Sequence, residues 1–248
     1  VLAILAAAAP LLSLLWKVEL RQERGGVHPL LPPSLVRLPS VRFGFTLAAL
    51  FYACWSGFMF VLALALQSGA GMTPTTAGNA FIPLGLAFFA GSLYSPRAVN
   101  AWGRTRVLIA GCLIQMAGIA ALGYTLRHVW PHPGILDLAM PTMLIGFGNA
   151  LVVGCYYRIG LADIPADQAG AGSAALTTVQ QASLGLGSAL LGTVFAQRLH
   201  HGATYLDATL ASFAAELCLM TALVAAALIY HNRHGQPVLA ARASPQSS

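Results

Sequence analysis

The chain has 248 residues, of which only 8% are charged and 57% hydrophobic, whereas a soluble globular protein carries about 25% charge. Too few polar groups are available to cover a water-facing surface, so an ordinary soluble domain is excluded and lipid becomes the reasonable solvent. The formal net charge of +6 does not point to nucleic acid, because the basic residues stand between apolar runs, where they report membrane orientation instead.

Residues 1–16 are apolar but shorter than the roughly 20 residues a spanning helix needs. They begin at Val1 without Met and lead into WKVELRQER instead of a cleavage signal. A partial transmembrane helix is expected there, in a fragment of a longer protein. Residues 17–42 contain VHPLLPPSLVRLPS, whose prolines and basic residues exclude a regular span, so they are read as a cytoplasmic linker.

Six apolar runs follow at 43–66, 77–95, 107–126, 138–157, 170–196 and 211–230, each long enough to cross a bilayer. Glu216 is the only charged residue inside any of them, and no histidine falls within one. The tail, residues 231–248, is polar and ends in ARASPQSS, which predicts disorder. With residues 17–42 in the cytoplasm, eleven of the 13 Lys and Arg residues fall on the inner side, leaving Arg127 and Arg198 outside. The positive-inside rule selects that orientation and places the C-terminus in the cytoplasm. Trp102, Tyr156, Tyr157 and Tyr230 then fall near the inner boundary, and Tyr124, Trp130 and Tyr205 near the outer one, as interfacial aromatics do. Tyr52 and Trp55 lie in mid-run and need another role.

The predicted architecture is an all-α membrane protein: a six-transmembrane-helix half bundle plus one partial N-terminal helix. Residues 43–230 form the bundle, and its two triplets enter the membrane from opposite sides, the pattern of a 3+3 inverted repeat. Small residues mark close helix packing or a sliding surface: Gly146, Gly148 and Gly154 in one run, and Gly170, Gly172, Gly185, Gly187 and Gly192 in another. Asn149, Gln115, Gln180 and Gln181 must find partners or a wet cavity at bilayer depth. Helix–helix hydrogen bonds are one reading. The other joins Asn149, Gln180 and Gln181 with Tyr52, Trp55, Phe58 and Met59 as an apolar pocket with a few polar contacts, suited to an amphipathic or cationic ligand. Glu216 is the candidate for carrying a proton; reaching the interface or pairing with a neighbouring helix is its plainer role.

The four cysteines lie in apolar runs and suggest buried hydrophobes, not disulfides. His128, His132, His200 and His201 fall on the outer side as loop residues, and no metal site is read from them. No phosphate-binding loop, nucleophile triad or clustered carboxylate is present, so neither an enzyme nor a cofactor is expected.

Three stretches carry a family resemblance: LLWKVELRQERGGVHPLLPPSLVRLPSVRFGF, GSLYSPRAVNAWGRTRVLIAG, and MLIGFGNALVVG followed by DQAGAGSAALTTVQQASLGLGSALLGTVF. They resemble the major facilitator superfamily, in particular the fourteen-helix drug:proton antiporters of the EmrB/QacA type. The resemblance implies that the six runs are such a transporter's C-terminal six helices, working by alternating access against an N-terminal half that is missing here. It implies lipid, protons and a small amphipathic or cationic substrate as partners, multidrug efflux as activity, and a bacterial inner membrane as location. In the second stretch Gly91, Gly103, Arg104 and Arg106 match the superfamily's cytoplasmic loop, but its acidic residue is absent, which leaves the arginines to cap helix carbonyls and hold topology. A sensor or assembly subunit that keeps a transporter-like bundle is the alternative reading.

Overall fold

The computed structural model describes residue 21 and residues 33–234. The expected partial helix at 1–16, most of the linker and the tail from 235 onward lie outside the described residues. A short helix, Pro33–Val36, precedes six long ones: α1 Pro39–Leu64, α2 Ile82–Trp102, α3 Arg104–Val129, α4 Ile135–Gly160, α5 Ala169–His200 and α6 Tyr205–His234. Each apolar run of the sequence falls within one of them, the first extending past Leu64 into a π turn at Ala65–Gly69 and the second taking in the short helix Pro74–Asn79.

Local chemistry explains where the helices start. Pro39 opens α1 at a position where the missing N–H costs nothing. Asp137 accepts the Gly134 N–H at 2.9 Å before α4, and the Thr204 hydroxyl accepts the Asp207 N–H at 3.1 Å before α6, each satisfying a donor that the first turn leaves free. Between α2 and α3 the chain reverses at Gly103 with φ +83, a left-handed conformation that residues with a Cβ rarely adopt.

The helices pack as two interleaved triplets. Helix α4 lies between α2 and α3 and also meets α1; α1 packs on α5 and α6; and α6 closes against α3 and α5. Exchanging the first three helices for the last three maps this pattern onto itself, α1–α5 onto α4–α2 and α1–α6 onto α4–α3, as an inverted repeat requires. Leu47, Phe51, Phe58, Leu122, Ile145 and Tyr156 are among the fully enclosed side chains at the centre.

Five of the six are long and apolar enough to cross a membrane. The exception is α5, 32 residues long and rich in glycine, hydroxyl and amide residues. Its hydroxyls are satisfied within the helix: Thr177, Thr178, Ser183 and Thr193 each donate to the carbonyl four residues earlier. Such back-bonding lets a polar helix occupy an apolar bundle.

The starts of α1, α3 and α5 and the ends of α2, α4 and α6 share one end of the bundle. Arg37, Arg42, Arg97, Arg104, Arg106, Arg158 and Arg233 gather there, opposite Arg127 and Arg198.

Candidate functional site

Side chains on α1 form an aromatic column. Tyr52 meets Tyr156 of α4 edge-on at 5.3 Å; Trp55 stacks on Phe58 at 6.0 Å; Phe58 meets Phe213 of α6 at 5.8 Å. Tyr52 and Phe58 are buried inside the half bundle, whereas Trp55 and Met59 are half-buried on its edge. Of the amides, Asn149 is buried with its Nδ2 unpartnered, and Gln115 is wholly enclosed with neither amide atom partnered. Gln180 is half-buried and Gln181 exposed. The expected pocket set therefore splits: Trp55, Met59, Gln180 and Gln181 keep accessible surface, while Tyr52, Phe58 and Asn149 stand behind it in packed positions.

Sequence reading assigned Tyr156 and Tyr157 only to the interface. Both instead reach from α4 to α5. The Tyr156 hydroxyl donates to the Leu176 main-chain oxygen at 2.7 Å. The Tyr157 hydroxyl lies 3.0 Å from the Thr177 hydroxyl and donates to the Gln180 side-chain oxygen at 3.1 Å. No sequence signal gave this: α5 runs past the end of α4, so that Gly160 lies against Leu176, a register that connection length does not reveal.

Glu216 is wholly enclosed, and neither carboxyl oxygen has a partner. It stands on α6 where that helix meets α1, its main-chain oxygen 3.9 Å from the Cys54 sulfur. It neither reaches the helix end nor pairs across the bundle. Burying an unpartnered polar group costs roughly 1–3 kcal/mol, more for a charge. A group kept at that cost is a functional candidate.

At the arginine-rich end, the Arg104 guanidinium donates to the main-chain oxygen of Arg158 at 2.9 Å, the helix-capping role expected of it. Arg106 is exposed. Gly91 sits against Ala150 and Phe147 of α4. Asp163, in the α4–α5 connection, accepts the Ser40 N–H at 3.3 Å and caps α1.

Most of the expected packing glycines do pack. Gly146 faces the main chain of Leu84, Gly148 that of Gly111 and Gln115, Gly154 the Ser95 side chain, Gly172 Ile164, Gly187 the main chain of Ala53, and Gly192 the ring of Phe60. Gly170 and Gly185 do not: a Cβ at either would meet nothing within 4 Å, because both point away from the half bundle. Among the described residues no three His, Cys, Asp or Glu side chains gather closely enough to hold a metal.

Comparison with known proteins supplies the family context. A family profile described as Major Facilitator Superfamily matches residues 1–188. The chain is 31% identical over 177 residues to a Streptomyces coelicolor protein named "Probable actinorhodin transporter", covering 71% of this chain and 31% of that one. It is 32% identical over 222 residues to a puromycin resistance protein of Streptomyces alboniger, covering 84% and 44%. It is 27% identical over 180 residues to a tetracenomycin C resistance and export protein of Streptomyces glaucescens, covering 73% and 32%. The chain spans less than half the length of these curated relatives.

Proposed function

The chain belongs to the Major Facilitator Superfamily, and from that premise we propose that it is the C-terminal half of a proton-coupled exporter of small amphipathic molecules. The observation that carries this reading is the accessible surface kept by Trp55 and Met59 on α1 and by Gln180 and Gln181 on α5, two helices that pack together. It combines apolar area with a few hydrogen-bonding groups, the make-up of a small-molecule site. The relatives' names, which speak of antibiotic resistance and export, support efflux as the direction.

In this reading residues 43–230 rock as one body against an N-terminal half, opening the site to each side of the membrane in turn. The arginine-rich end faces the cytoplasm of a bacterial cell, residues 17–42 link the halves, and residues 231–248 form a cytoplasmic tail. Glu216 is the coupling residue on this side, taking up and releasing a proton as its surroundings change between states. Aromatic faces such as Trp55 also serve a cationic substrate. No observation favours the sensor or assembly-subunit reading.

The test is efflux from cells lacking their major pumps. The whole transporter, expressed with and without a proton uncoupler, is compared with residues 1–248 alone. Uncoupler-sensitive export by the whole protein, and none by the half, is the expected result. Export by the isolated half, or none by a well-expressed whole protein across a broad drug panel, overturns the reading.

A further inference from the structure

Where α4 and α5 meet, a group is held in place but not used up. The phenol of Tyr157 gives its proton to the side-chain oxygen of Gln180 at 3.1 Å. The Thr177 hydroxyl stands 3.0 Å from the same phenol and 2.9 Å from the Ser173 carbonyl, to which it donates. One side of the Gln180 amide is thereby fixed by Tyr157 from the neighbouring helix. The other side, the NH2 group, has no partner among the described residues. Gln180 is half-buried, so this donor pair meets the accessible face and not the packed interior.

The position is functional in a specific sense. Gln180 lies on the arginine-rich side of the midpoint of α5 (Ala169–His200), and Tyr157 lies three residues from the end of α4 at Gly160. A molecule arriving from that end meets the amide before it reaches Trp55 and Met59. The acids described on this half do not compete for the role. Asp163 and Asp167 are in the α4–α5 connection, Asp137 and Asp207 in first helical turns at the opposite end, and Glu216 is enclosed. The described face thus offers an arriving molecule an oriented N–H pair and aromatic surface, and no carboxylate.

Resting on the export reading above, we propose that Gln180, held by Tyr157, is a specificity-determining residue that selects aromatic molecules carrying a carbonyl or similar hydrogen-bond acceptor. A glutamine free to rotate would present donor and acceptor in turn and discriminate little. Fixing its oxygen on Tyr157 leaves only donors to present, and a built donor rejects a ligand that lacks the matching acceptor because the N–H is then left unpaired.

The test uses the whole transporter in proteoliposomes, with ethidium as the exported dye and anthraquinone and anthracene as competitors of nearly the same outline. With the wild type, anthraquinone competes at lower concentration than anthracene. Gln180→Met, which keeps length and removes the donor, is expected to raise the half-inhibitory concentration of anthraquinone about tenfold, the factor that corresponds to 1.4 kcal/mol, and to leave that of anthracene unchanged. Tyr157→Phe, which frees the amide, is expected to give part of that loss for anthraquinone and none for anthracene, whereas simple packing damage would move both alike. An unchanged anthraquinone-to-anthracene ratio in both variants, with ethidium still exported, overturns the selection role alone. Absence of export by the wild type overturns the export reading and this inference with it.

Discussion

The guanidinium of Arg104 donates to the main-chain oxygen of Arg158 at 2.9 Å, tying the first residue of α3 to the last turn of α4. The two helices pack along their length through Gly111, Gly118 and Gly148, but at this end the arginine adds a polar tie that also opposes the negative end of the α4 dipole. Arg104→Ala is expected to lower stability by about 1 kcal/mol, since the bond is exposed and charge-assisted, while Arg106→Ala leaves it unchanged. Thermal unfolding of the two variants in detergent checks this; equal melting temperatures would remove the capping role.

Glycines with the same position in the sequence pattern have different neighbours. A methyl at Gly187 would overlap the main chain of Ala53, whereas one at Gly185 meets nothing. Gly187→Ala is therefore expected to cost about 1–3 kcal/mol by forcing α1 and α5 apart. Gly185→Ala is expected to stabilise α5 by up to about 1 kcal/mol through helix propensity. Unfolding midpoints of the paired variants decide the matter, and a loss at Gly185 as large as that at Gly187 would contradict the packing.

Much of this was legible beforehand, and the reason lies in the solvent. An apolar run bounded by arginines can satisfy its backbone in lipid only as a helix, so the six runs between Arg42 and Arg233 fixed the elements and their alternation. Side-chain direction was less legible. Phe58 and Trp55 are three residues apart on one helix, yet one is enclosed against Phe213 and the other reaches the edge. Five of the six helices are apolar nearly all round, so periodicity does not separate their interior faces from the others. The contacts of Tyr157 were missed for a related reason: an aromatic near a helix end reads as an interface anchor, and nothing in the sequence shows that the neighbouring helix presents Thr177 and Gln180 to it.

Trp55 offers the direct check on the accessible face. Its ring stacks on the enclosed Phe58 and remains half-buried, so truncation removes accessible aromatic area without opening the centre of the bundle. Trp55→Ala in the whole transporter is expected to reduce efflux of aromatic drugs several-fold, with membrane insertion and expression unchanged. Drug susceptibility alongside quantified membrane protein makes the comparison; normal efflux at normal expression would take Trp55 out of the site.

Glu216 sets stability against coupling. Its carboxyl is enclosed where α6 meets α1, close to Cys54, with both oxygens unpartnered. A leucine there removes an unsatisfied polar group and keeps most of the volume, so Glu216→Leu is expected to raise stability by about 1–3 kcal/mol. If the carboxyl exchanges protons during transport, the same substitution, and the closer Glu216→Gln, abolish export driven by a pH gradient while leaving substrate exchange down a concentration gradient. Such a trade is expected of groups kept for function against the interest of the fold. Melting temperature and pH-driven efflux of the same preparations test both halves. A destabilised Glu216→Leu protein would mean that the carboxyl has an unseen partner, and intact pH-driven export in Glu216→Gln would remove it from proton coupling.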